Sequence, residues 1–79
     1  MNELTEKELF IAMLVADGLR NPDIAVIIGT SEHVVKNKLK MIYDKLGFWN
    51  RTELALWYVK REHDREKVEL KAKAQKGGS

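Results

Sequence analysis

The sequence predicts an all-α fold of four helices. Two observations carry this. The 79 residues contain one proline and five glycines, and these fall at Gly18, Asn21-Pro22, Gly29, Gly47 and Gly77-Gly78, leaving unbroken segments of helical length between them. No segment alternates apolar and polar residues for long enough to require a sheet, whereas a cap-forming residue precedes each helical segment.

The elements follow in order. Thr5 with Glu8 three residues later is a capping box, which predicts a first helix over about 5–17, closed by Gly18. Asn21 before Pro22 suits an N-cap followed by proline at the first helical position, predicting a short second helix over about 22–28 that ends at Gly29. Ser31 can cap a third helix over about 32–46, closed by Gly47. Asn50 with Glu53, or Thr52 alone, can cap a fourth over about 51–64 or beyond. A short helix, a three-residue glycine turn and a longer basic helix make a helix-turn-helix. The run from Lys60 to Lys67 has no apolar residue and cannot join a core. The chain therefore divides into a helix-turn-helix domain at 1–62 and a charged helical extension or disordered tail at 63–79, mobile from Lys76 onward.

Composition narrows the function. The chain has no cysteine, which excludes disulfides, Cys-based zinc sites and thiol catalysis. His33 and His63 lie 30 residues apart with no partners to complete a metal site, so neither metal nor cofactor is expected. Ser31 is the single serine within the folded part and reads as a cap; no nucleophile with a base, no carboxylate pair and no phosphate loop can be assembled, so the protein is not expected to be an enzyme. No apolar run is long enough to cross a membrane, and the acidic start does not resemble a signal peptide. A cytoplasmic, nucleoid-associated location is expected.

The net charge of +2 looks small for a nucleic-acid partner. Its distribution is uneven. Residues 1–29 carry Lys7 and Arg20 against Glu3, Glu6, Glu8, Asp17 and Asp23. Residues 30–61 carry Lys36, Lys38, Lys40, Lys45, Arg51, Lys60 and Arg61 against Glu32, Asp44 and Glu53. The middle of the chain is thus basic and the first third acidic, an asymmetry that points to a polyanion site.

The third helix sharpens this. At about 100° per residue, Val35, Leu39, Ile42 and Leu46 fall on one narrow stripe that must face the core. Opposite lie His33, Asn37, Lys40 and Asp44, flanked by Lys36 and Tyr43 on one side and by Val34, Lys38 and Lys45 on the other. His33, Lys36, Asn37 and Lys40 make the first turns rich in hydrogen-bonding groups that suit base edges in a major groove, with flanking lysines for phosphates. Arg51 either binds phosphate or pairs internally with an acid such as Glu8, the internal pair being preferred.

These residues resemble the LuxR-type (GerE-like) helix-turn-helix family of bacterial regulators. Leu4-Thr5-Glu6-Lys7-Glu8 stands where the family opens with Leu-Thr-x-Arg-Glu. Ala16-x-Gly18-Leu19, Asn21-x-x-Ile24-Ala25, Ser31-Glu32, Val35-Lys36, Leu39, Ile42-Tyr43-x-Lys45-Leu46-Gly47 and Asn50-Arg51-Thr52 follow at the family spacing without a gap. The resemblance implies a four-helix fold whose third helix enters the major groove of double-stranded DNA, and a homodimer joined through the fourth helix. It implies DNA contact at Lys36 and at Lys38, where the family usually has a phosphate-contacting His. Val34 stands where the family has a Thr that is often a phosphate contact, so one hydroxyl donor is lost; Arg20 stands where the family has Ser or Thr, and Pro22 where Lys is frequent. Leu9, Phe10 and Met13 occupy positions that are usually polar or variable.

The expected function is that of a sequence-specific transcriptional regulator, either naturally short or one domain of a longer protein. Lys36, Asn37, Lys38, Lys40, His33, Ser31 and Arg20 are its candidate DNA contacts, and Ala55, Leu56 and Val59 its candidate dimer contacts. The alternative is a protein-interaction module, an anti-activator or adaptor, binding a protein partner through Leu9, Phe10 and Met13 or through the last helix.

Overall fold

The computed structural model describes residues 4–77, with side chains described through Glu66. Four helices follow one another: α1 (Glu6–Ala16), α2 (Asn21–Ile28), α3 (Glu32–Leu46) and α4 (Arg51–Gly77). Among the described residues there is no strand. The charged segment beyond residue 62 continues α4 to Gly77. Of the segment expected to be mobile from Lys76 onward, Lys76 and Gly77 belong to the described α4, and Gly78 and Ser79 lie outside the described residues.

The capping box at the start of α1 forms in full. The Thr5 N–H donates to Glu8 Oε1 at 2.8 Å, and the Glu8 N–H donates to Thr5 Oγ1 at 3.2 Å. The same Glu8 oxygen accepts from Lys45 Nζ at 2.7 Å, so it also ties α1 to the last turn of α3. Burial pushes the Glu8 carboxyl up, but the Lys45 and Thr5 hydrogen bonds outweigh it and leave the group below its ordinary 4.5.

Helices α1, α2 and α3 end alike. The amides of Leu19, Thr30 and Phe48 reach back to the carbonyls of Leu14, Ala25 and Tyr43 at 3.1, 2.9 and 2.9 Å. Between α2 and α3 this closure requires φ +71° at Gly29, a left-handed conformation that glycine adopts without penalty. It turns the chain sharply enough for Ser31 to cap α3, its Oγ accepting the Val34 N–H at 3.3 Å. Asn50 caps α4, accepting the Glu53 N–H at 3.0 Å, while the Glu53 carboxylate returns to the Trp49 N–H at 2.6 Å.

The α2 cap differs from the sequence expectation. Arg20 occupies the N-cap position and Asn21 is already helical. The Asp23 carboxylate accepts the Arg20 N–H at 3.2 Å, and the Asn21 side chain is engaged elsewhere, by Arg51. A tertiary contact has displaced the local cap by one residue.

The core gathers Ile11, Ala12, Leu14 and Val15 from α1, Ile24 and Ala25 from α2, Val35, Leu39 and Ile42 from α3, and Leu54 from α4. Helix α1 packs on α4 and on α3, and α2 packs on α3. Leu46, the last residue of the predicted α3 stripe, is half-buried at the rim.

Glu8→Gln retains the cap acceptor and removes the charge. It is expected to lower unfolding stability by about 1 kcal/mol at pH 7, read from urea midpoints. The sign with pH is fixed. A carboxyl lowered by folding contributes fully above its ordinary value and loses that contribution as pH falls through the folded value. The gap between the two proteins should therefore close as pH falls below the ordinary carboxylate range and through the lowered folded value.

Candidate nucleic-acid interface

Helix α3 is oriented by its buried stripe. With Val35, Leu39 and Ile42 held in the core, His33, Lys36, Asn37, Lys38 and Lys40 are all exposed. Among the described residues none of the five side chains enters a hydrogen bond or an ion pair. Lys45, counted with them in the basic middle of the chain, is held by Glu8 instead. The free cations of α3 thus lie toward its N-terminal half, ahead of Asp44.

Lys38 is set apart from the other four. It leans toward α1, where it borders a groove of about 430 Å³ whose apolar floor is Phe10, Ile11 and Ile28. Ser31 is exposed, but its oxygen is occupied by the α3 cap.

Arg20 is exposed at the start of α2, and its position is set from a distance. The Arg51 guanidinium donates from Nη1 to Asn21 Oδ1 at 2.6 Å and from Nη2 to the Leu19 carbonyl. Those two acceptors flank Arg20 in the chain. Arg51 therefore clamps the entry to α2 against the start of α4, and Arg20 is displayed by that clamp. The expected Arg51–Glu8 pair is not formed, because Lys45 takes Glu8 and Arg51 faces the α2 entry. Tyr43 lies nearby: burial raises its hydroxyl above the ordinary 10.0, and the Arg51 charge partly offsets this. The positioning role of Arg51 was missed at the level of sequence; its one signal was an arginine just behind the Asn50 cap.

The apolar candidates are distributed unevenly. On α1, Leu9 and Met13 are half-buried, Met13 packing against the core, while Phe10 is 42% exposed. On α4, Ala55 packs against the core with Trp57 and Tyr58, whereas Leu56 and Val59 stand 66% and 55% exposed on the opposite face. Trp49 is nearly free of contact in the turn before α4. No three side chains of metal-binding type come together among the described residues.

Comparison with known proteins gives a concordant picture. Residues 2–58 match the family described as bacterial regulatory proteins, luxR family. The chain is 47% identical over 51 residues to the transcriptional regulatory protein YdfI of Bacillus subtilis (strain 168), covering 65% of this chain and 24% of that protein. It is 37% identical over 59 residues to the probable transcriptional regulatory protein SgaR of Hyphomicrobium methylovorum, covering 75% of this chain and 28% of that one. The chain thus spans about a quarter of the length of these relatives.

The two kinds of polar residue at this surface should respond differently to removal. Arg51→Met leaves two partly buried acceptors without their charged donor and is expected to cost about 2 kcal/mol. Lys36→Ala, Asn37→Ala and Lys40→Ala remove no internal partner and should stay within about 0.5 kcal/mol of the parent. Urea unfolding of the four variants checks both.

Proposed function

Because the chain belongs to the luxR family of bacterial regulatory proteins, we propose that it binds double-stranded DNA and regulates transcription, with α3 in the major groove. One observation carries the reading: the hydrogen-bonding face of α3 is exposed and unpartnered, while the opposite face is locked into the core.

In this reading Lys36, Asn37, Lys40 and His33 face base edges. Asn37 has the amide that can pair with the N6 and N7 edge of adenine, and the lysines have donors for guanine O6 and N7. Lys38 on the flank of α3 and Arg20 at the start of α2 reach phosphates, with Arg20 held at the α2 entry that Arg51 clamps to α4. Ser31 serves the site through the cap that sets the leading turn of α3.

The exposed Leu56 and Val59 lie three residues apart on one face of α4, a stripe suited to a homodimer. Dimerisation doubles the phosphate contacts available to a protein of small net charge. Met13 packs against the core and Leu9 is half-buried, which leaves Phe10 as the exposed apolar group that α1 offers to the interaction-module alternative, beside Leu56 and Val59 on the last helix. The location consistent with this function is the cytoplasm, on the nucleoid.

Binding to duplex DNA across a salt series tests the proposal. Affinity should fall steeply with salt as counterions are released. Lys38→Ala should lower the slope of log affinity against log salt by about one. Absence of binding above background at low salt would overturn the reading. Light scattering should give a dimer that Leu56→Glu with Val59→Glu converts to a monomer.

A further inference from the structure

We infer that the groove between α1 and α3 is a binding site for a free medium-chain carboxylate, an apolar tail with a single anionic head, and that filling it takes Lys38 away from DNA. The site stands on its own geometry; only the competition rests on the DNA-binding reading above.

Two hollows lie side by side here. The larger, of about 430 Å³, has Phe10, Ile11 and Ile28 on its floor and Thr30 beside them. The smaller, of about 280 Å³, lies against Met41 and the Glu8–Lys45 pair. Lys7, Ile11 and Lys38 line both, so the two are lobes of one groove and share a neck. Phe10 is 42% exposed and Met41 58%, so each lobe leaves apolar surface open. Lys7 and Lys38 are exposed, and among the described residues neither side chain has a hydrogen-bond or ion-pair partner.

The chemistry selects the occupant. The larger lobe has the size of a small-molecule site, and such sites are mostly apolar with a few placed polar groups. Two like charges at one neck repel each other, and an anion between them satisfies both. Inorganic phosphate or a DNA strand satisfies the cations but leaves the apolar floor open. A neutral hydrocarbon does the reverse, and an amphiphilic anion does both. The neighbouring acids limit its charge. Glu8 is already engaged by Lys45 and Thr5, whereas Glu6 borders the larger lobe without an ion-pair partner among the described residues. A second anionic group in that lobe would meet Glu6, so a monocarboxylate fits and a dicarboxylate does not. The head held at the neck engages Lys38, the flank cation assigned above to a phosphate, so ligand and DNA compete for one side chain.

The test uses the full chain and octanoate, kept below its micelle-forming concentration. Amide shift mapping should show saturable changes at Lys7, Phe10, Ile11, Thr30 and Lys38. Octanol, with the same chain and no charge, should bind several-fold more weakly. Lys7→Ala should weaken octanoate about threefold, the worth of one exposed ion pair, and Lys7→Arg should restore it. Phe10→Ala should weaken it about tenfold through lost apolar contact. Circular dichroism should show that variant folded, and its affinity for a duplex recovered by selection from random DNA should match the parent's. Octanoate at about ten times its dissociation constant should lower the parent's affinity for that duplex about tenfold, and far less that of Phe10→Ala. Absence of saturable shifts, or shifts away from the groove, overturns the site. Octanol binding as tightly as octanoate overturns the recognition of an anion. Groove shifts with unchanged duplex affinity overturn the competition alone. A protein that binds octanoate but no duplex overturns the DNA-binding reading and the competition, while the site stands.

Discussion

The burial of one narrow stripe of α3 is the constraint on which the remaining surface depends. Val35 and Ile42 are fully enclosed and Leu39 nearly so, by side chains from α1, α2 and α4. Each such side chain is worth roughly 2 kcal/mol of transfer free energy, against less than about 1 for an exposed ion pair. Packing, rather than charge, therefore decides the rotation of α3 about its axis. Once that rotation is set, His33, Lys36, Asn37 and Lys40 can only face outward. The polar surface is a consequence of the apolar one, and both are written into the same fifteen residues.

The distribution of charge acquires a different meaning when the pairs are placed. Two of the acids in the first third are used locally: Glu8 in the α1 cap and Asp23 at the α2 entry. Glu8 also holds Lys45, which removes the most C-terminal cation of α3 from the free surface. What stays free on α3 is Lys36, Lys38 and Lys40. The small net charge thus conceals a local basic face, whose field is strongest near the N-terminal half of α3, where the helix dipole also favours an anion.

Much of this was legible in the sequence because it depends on short spacings. The Thr5–Glu8 box, the Ser31 cap and the α3 stripe each involve residues within a few turns, and the structure forms all three. What could not be read depends on residues brought together from afar. Asn21 looks like a cap until Arg51, 30 residues later, takes its side chain. The acid Glu8 has two cations within plausible reach in sequence terms, and only the packing angle of α3 on α1 selects Lys45 over Arg51. On α1, apolar residues cover every face, so periodicity could not tell that Met13 is packed while Phe10 borders an open groove.

The buried stripe turns the polar face of α3 outward, and the proposed function requires that this face meet DNA. Amide chemical-shift mapping of the isotope-labelled protein, titrated with duplex DNA at low salt, tests it most directly. The account predicts that the largest shifts fall on residues 31–40 and on Arg20 with the α2 entry, while the core amides of Ile24, Ile42 and Leu54 stay nearly still. Shifts concentrated at Leu9, Phe10 and Met13 with α3 silent, or no shifts at all, would contradict it.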